Sequence, residues 1–286
     1  MSTQITTAFV EQYKSNVLHL AQQKGSRLRD AVRSETVTGK AHFFERIGST
    51  AAQKRTSRHS DTPRMDTPHS RRKVTMDDYD WADLIDQEDK VRLLISPQSE
   101  YAMAGAWAMG RAMDDSIIAA AVGTAYGGVA GGTSVSLPAG NKVAHASGGL
   151  TLAKLLSAKE IMDAADIDPD EPRYLACAAG QITDLLNVTQ VTSSDYATVK
   201  ALAQGSLDSF LGFKFIRTQR LGTDSDGNRQ VTAWAKSGIG LALGADIKTK
   251  ISERDDKNYA TQVFLSMTIG ATRIEEEKVV EIACTE

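Results

Sequence analysis

Several groups of residues in this chain have the types from which catalytic and metal sites are built, and none has the spacing. Gly123, Gly127, Gly128, Gly131 and Gly132 form a glycine-rich run, which could in principle wrap backbone N–H groups around a phosphate. A phosphate loop follows a strand and ends in GK[ST]; this run follows a helical stretch and lacks that ending. Asp224, Asp226 and Asn228 surround Gly227 and offer oxygens at alternate positions, as a calcium loop does. The glycine precedes the third oxygen and no Glu closes the loop, so a hairpin turn accounts for these residues better. Asp163, Asp166, Asp168, Asp170 and Glu171 lack ligand spacing and read as the solvated end of a helix.

The histidines are His19, His42, His59, His69 and His145. Three lie in or beside a basic segment, and none pairs with another at metal spacing. Cys177 and Cys284 are far apart and belong to no CxxC pair. They read as two buried thiols in a reducing cytoplasm, a single disulfide being the alternative. No GxSxG elbow or HExxH pair is present. No catalytic residue, metal or cofactor is therefore expected, although carboxylates brought together only by folding would leave no such trace.

The elements that would have to position any site are clearer. At 286 residues, with 41% hydrophobic and 24% charged, the chain is long enough for a large core and too apolar for wholesale disorder. The N-terminus has no apolar signal region, and the most apolar stretch, Tyr101 to Val122, is interrupted by Arg111, Asp114 and Asp115, so no membrane association is expected. Phe9, Tyr13, Val17 and Leu20 share one face of an N-terminal helix that Gly25 would end. Ser96 and Pro97 suit the N-cap and first position of a long helix to Val122, which Gly123 stops. Its small residues Ala102, Ala104, Gly105, Ala106, Ala108 and Gly110 predict close approach of another backbone, with Ala104 and Ala108 taken as representatives of that face.

The glycine run after this helix reads as a linker at a subdomain boundary. From Thr151 to about Arg220 helices and strands alternate: a helix around Leu152–Ile161, a strand at Arg173–Ala179, a short helix at Gln181–Leu186 and a helix with the face Tyr196, Val199, Ala203, Leu207 and Phe210. The remainder is strand-rich. Asp226-Gly227 predicts a hairpin between Phe213–Gln219 and Gln230–Lys236, and Tyr259 to Ile269 is the cleanest period-two run in the chain.

Residues 40 to 90 are the least ordinary. His42–Ile47 and Val74–Ile85 suit strands, and the thirty or so residues between them are rich in Ser, Thr, Arg and His; excursions of that length usually have a function. Lys40 to Lys73 holds nine Lys or Arg against Glu45, Asp61 and Asp66, whereas Val74 to Lys90 holds seven acids against Lys90 alone. The predicted role is a long two-stranded loop that reaches a neighbouring subunit and meets opposite charge there. The cations proposed for that contact are Arg55, Arg58, Arg64, Arg71, Arg72 and Lys73; the acids are Asp77, Asp78, Asp80 and Asp83. The alternative is a soluble nucleic-acid-binding protein using the basic segment 40–73, which would bind phosphates in a salt-sensitive way. Against it, no aromatic residue lies between Phe44 and Tyr79 to stack on a base.

The order of these parts resembles the major capsid protein of tailed double-stranded DNA phages, whose shell fold is shared with the herpesvirus capsid floor. The resemblance covers essentially the whole chain and is carried by order and character, most familiarly by His42–Arg46, the loop to Trp81 and the run Ser96–Asp115. It implies an α+β fold: an N-terminal arm (1–40), an extended loop (41–90), a peripheral domain (91–150 and 223–286) with a spine helix (97–122) on a sheet, and an α/β axial domain (151–222). It further implies self-assembly as hexamers and pentamers into an icosahedral head around packaged DNA, held non-specifically. Scaffolding and portal proteins, and in some members a cement protein, would be partners. The expected location is the virion shell, after synthesis in the host bacterial cytoplasm.

Overall fold

The computed structural model describes residues 21–58, 61–62, 64–86, 98–146, 148–187 and 209–285. The expected N-terminal helix, the cap residues Ser96 and Pro97, and most of the helix expected from Ser194 lie outside the described residues. Phe210, assigned to that last helix's face, instead lies in a short strand, β9 (Ser209–Phe210).

The body is a helix on a sheet. Helix α1 (Gln98–Val122) ends where Gly123 N–H donates to the Ala119 carbonyl. Beneath it the two longest strands among the described residues, β12 (Ile239–Arg254) and β13 (Ala260–Arg273), run antiparallel. β13 is flanked on its other side by β4 (Asp77–Ile85), while β1 (Arg33–Thr36) pairs in parallel with Gly240–Leu243 of β12, so the sheet order is β1-β12-β13-β4. Val263, Leu265, Met267 and Ile269 are buried at alternate positions of β13, the pattern of a strand with one face covered. The covering helix comes very close. A Cβ on Gly105 would lie 2.6 Å from the Trp81 ring and 2.7 Å from Leu265. The small face is thus real, but Gly105 and Gly110 make its closest contacts, whereas Ala104 and Ala108 are only half-buried.

A second, six-stranded sheet runs β7-β14-β11-β8-β10-β9, with β7 at Lys142–Val143, β8 at Arg173–Cys177, β10 at Phe213–Arg217, β11 at Arg229–Ala235 and β14 at Val279–Cys284. Helices α2 (Leu152–Ala164) and α3 (Ala179–Leu186) accompany it; Thr151 caps α2 by accepting from Lys154 N–H. The turn at Asp224–Asn228 forms as expected, with Gly227 at φ +81° and Asp224 accepting from Asn228. Its flanking strands do not make the predicted hairpin. β8 lies between them, parallel to β10 and antiparallel to β11, so a turn signal correctly located a reversal but not its pairing.

The third sheet, β2-β3-β5-β6, carries the long excursion: β2 (Ala41–Ile47) pairs antiparallel with β3 (His69–Thr75). Two readings of the sequence are corrected here. Val74–Ile85 is not one strand; it divides at Met76, and β3 and β4 join different sheets. The acidic half therefore belongs to the body, where Tyr79 and Trp81 are packed against the main core. The glycine-rich run is not a linker either. It is a hairpin of β5 (Ala125–Gly127) and β6 (Thr133–Val135) that extends the sheet from β3. Glycine serves here through its positive φ at Gly128 and Gly131.

One large hydrophobic cluster unites the two body sheets, and a small one (Val37, Phe44, Val74, Ala242 and Ile274) sits at the root of the excursion. Among the described residues no helix is long and apolar enough to cross a membrane.

Candidate intersubunit surface

The outer part of the excursion, residues 48–68, is exposed wherever it is described. It presents Arg55, Arg58 and Arg64. Arg55 donates to the nearby Ser57 carbonyl at 3.0 Å; Arg58 and Arg64 form no ion pair among the described residues. The other three expected cations behave differently. Arg71 reaches across the strand pair to Glu45 at 2.7 Å and lies over the Phe43 ring. Lys73 is half-buried, its stem lying over Gly131. Arg72 is only 4% exposed, and its guanidinium engages Glu276 of the same chain. Arg72 is thus withdrawn from the surface set, because its strand position points it inward at the root of the hairpin.

The acids lie on β4, an edge strand of the body sheet. Asp77, Asp78 and Asp80 are exposed and Asp83 is half-buried. Asp78 accepts from the Thr268 hydroxyl at 2.6 Å and Asp83 from the Leu84 N–H at 2.8 Å. Cross-strand register aligns Asp80 with Ser266 and Lys248 in one row, and Ala82 with Phe264 and Lys250 in the next. Residues in register point to the same sheet face, so that face has acids along one margin and lysines along the other. Among the described residues no ion pair joins the basic tip to the acidic strand. The two charge blocks adjoin in sequence and are separated by the fold.

Two polar constellations carry no sequence signal. Asp114 of α1 is fully buried. It accepts from the Gln23 side chain (2.5 Å), the Ser26 hydroxyl (2.6 Å) and the N–H groups of Arg27 (3.0 Å) and Leu28 (3.1 Å). Gly110, one turn earlier, lets the Gly25–Ser26 backbone lie directly on the helix. Together they dock residues 23–28 on the helix. The second constellation gathers Arg46, Arg72 and Arg273 around Glu276 at the base of the excursion, at distances up to 3.9 Å. Arg273 is fully buried and also donates to the carbonyls of Ala121, Gly123 and Val135.

The groups that first suggested chemistry have structural roles. Asp163 is held below the usual carboxylate range by Lys159 and then Arg173. Glu171 accepts from the Ser237 N–H at 2.7 Å. Cys177 and Cys284 are buried thiols, and burial pushes Cys177 up to about 12. Register places β11 between their strands, too far apart for the Cα separation a disulfide needs. Among the described residues no three His, Cys, Asp or Glu are grouped to hold a metal.

A body of helix on sheet, a second mixed sheet and a projecting strand pair define a class found in phage shells. The chain is similar to the capsid of cyanophage P-SCSP1u (TM-score 0.73, 19% identity, covering 100% of this chain and 96% of that one). It is also similar to the capsid of Ralstonia phage GP4 (0.72, 9%, 96% and 95%) and to a structure from Mycobacterium phage Che8 (0.66, 15%, 96% and 97%). No curated protein matches it. The family described as phage capsid protein matches residues 5–286, and the chain belongs to that family. It is a structural subunit of the virion shell. Nothing in these comparisons favours the nucleic-acid-binding alternative, and the basic segment on which it rested is broken up: Arg72 is buried and Arg71 is paired.

Proposed function

We propose that this subunit assembles as hexamers and pentamers into an icosahedral head around packaged double-stranded DNA. Charge on the β2–β3 excursion meets charge on a neighbouring copy. The observation that supports this reading is the excursion itself: an exposed tip with Arg55, Arg58 and Arg64, which among the described residues makes no ion pair with the acids on β4. The sheet under α1 serves as the peripheral part of the subunit. The six-stranded sheet serves as the axial part, drawing β7, β11 and β14 from outside 151–222. Synthesis takes place in the host cytoplasm, and scaffolding, portal and, where present, cement proteins complete the head.

One exposed ion pair contributes only about 0–1 kcal/mol, so the effect depends on many pairs repeated around a closed shell. The test is the combined reversal Arg55→Glu, Arg58→Glu and Arg64→Glu, co-expressed with the scaffold and examined by sedimentation and negative-stain imaging. The expected result is unassembled subunits with unchanged circular dichroism. Wild-type assembly should also weaken as salt rises, since exposed charges are screened beyond roughly 10 Å at about 0.1 M. Normal shells from the reversed variant would reject this role for the tip.

A further inference from the structure

Beyond the short β3–β5 pairing at Arg72 and Lys73, the root of the excursion is held to the body by two small side-chain attachments of different kinds. One is apolar. Phe44 and Val74, one from each strand of the hairpin, pack with Val37, Ala242 and Ile274. Gly240 permits this, since a Cβ there would lie 2.6 Å from the Phe44 ring. The other is ionic. Arg46 on β2 and Arg72 on β3 both donate to the Ile274 carbonyl, at 2.7 and 3.3 Å, and both face the Glu276 carboxylate. Glu276 also faces Arg273, whose other nitrogens hold the carbonyls at the end of α1 and on β6. A single carboxylate therefore joins both strands of the hairpin to the end of the helix and to β6.

The charge balance makes that carboxylate decisive. Three guanidinium groups converge on one acid, and arginine does not shed its proton. Arg72 and Arg273 are 4% and 0% exposed, and the Arg273 Nε has no hydrogen-bond partner. Without Glu276, buried like charges would repel each other with little water to screen them. The flank beyond Arg46 is not packed: an open groove of about 590 Å³ lies between Ile47–Gly48 and Ala165–Asp168, the segment that follows α2. The cheapest relief is for the hairpin to turn about its small apolar attachment.

We propose that Glu276 is a positioning residue that fixes the attitude of the β2–β3 hairpin on the body, and so the place at which each subunit presents Arg55, Arg58 and Arg64. This goes beyond the shell reading, because it concerns the single subunit. The test uses full-length unassembled protein carrying Ala51→Cys on the excursion and Glu160→Cys on α2, spin-labelled at both. Cys177 and Cys284 are buried and stay unlabelled. Pulsed dipolar spectroscopy should give one narrow distance peak with Glu276 present. Glu276→Gln should shift or broaden it, while far-ultraviolet circular dichroism remains that of the parent. An unchanged peak in the folded variant would overturn the proposal. If Glu276→Gln does not fold, Glu276→Gln combined with Arg46→Gln decides, since it still removes the carboxylate and lifts one of the converging positive charges. A second distance population then supports the proposal and an unchanged peak overturns it. Because distances are read before assembly, failure here leaves the shell reading untouched.

Discussion

Single residues show how far charge and burial can part company. Arg72 and Arg71 are neighbours in a basic run, yet one is sealed against Glu276 and the other lies at the surface against Glu45. Strand alternation turns adjacent side chains to opposite faces, and the fold decides which face is inside. Asp114 teaches the same lesson with the opposite charge. It lies in an apolar helix and is fully buried, and it collects donors from Gln23, Ser26, Arg27 and Leu28. A buried carboxylate so well supplied is stable; the donors without it are not. Asp114→Ala leaves those N–H groups unsatisfied and should cost about 3 kcal/mol in urea unfolding. Limited proteolysis should then cut within 21–28 faster than in the wild type. A loss of under about 0.5 kcal/mol, typical of an inert surface site, would show that residues 23–28 do not depend on this anchor.

At the scale of the element, α1 is defined by what its glycines admit. Gly105 takes in Trp81 and Leu265, and Gly110 takes in the backbone at Gly25. In a helix interior, Gly→Ala ordinarily gains about 1 kcal/mol, and steric overlap must outweigh that. Gly105→Leu drives a branched side chain into the sheet and should cost about 1–3 kcal/mol by overpacking. Ala104→Leu and Ala108→Leu, at half-buried positions, should cost markedly less. Thermal melts of the three variants check the ranking. Equal melting temperatures would mean that the helix does not approach the sheet at Gly105. Gly110→Ala should spare the sheet packing and lower amide protection at Ser26–Leu28 alone.

At the scale of the molecule, the surface acids that pair with arginine or lysine make a small, pH-dependent contribution to the stability of the subunit. Asp163 is held below its ordinary value by Lys159 and Arg173, Asp246 by Arg29, and Asp256 falls to about 2 beside Arg254. A carboxylate with a depressed folded-state pKa contributes stability that is fully present above the unfolded value and is lost as pH falls through the folded one. The unfolded reference is 3.8 for each of these groups. The unassembled subunit should therefore melt at nearly constant temperature from about pH 7 to about pH 5 and lose stability progressively below about pH 4. These are exposed pairs, so the loss is gradual. A stability optimum near pH 3 would contradict the pairing.

What the sequence determined by itself was local: α1 and its stop at Gly123, α2 and α3, the period-two run that became β13, the turn at Asp224–Asn228 and the excursion with its charged tip. Helix caps, periodicity and turn glycines act over a few residues, so they can be read from a few residues. The whole-chain order of these parts also sufficed for the resemblance to the phage capsid family. Tertiary structure alone decided sheet membership. It separated β3 from β4, inserted β8 between β10 and β11, and made a hairpin of the glycine run. Strand pairing depends on partners up to about two hundred residues away, and no short window contains them. The same reason hid the Asp114 anchor and the Glu276 cluster: each joins residues whose separation in sequence erases any spacing, and only the packed backbone makes them neighbours.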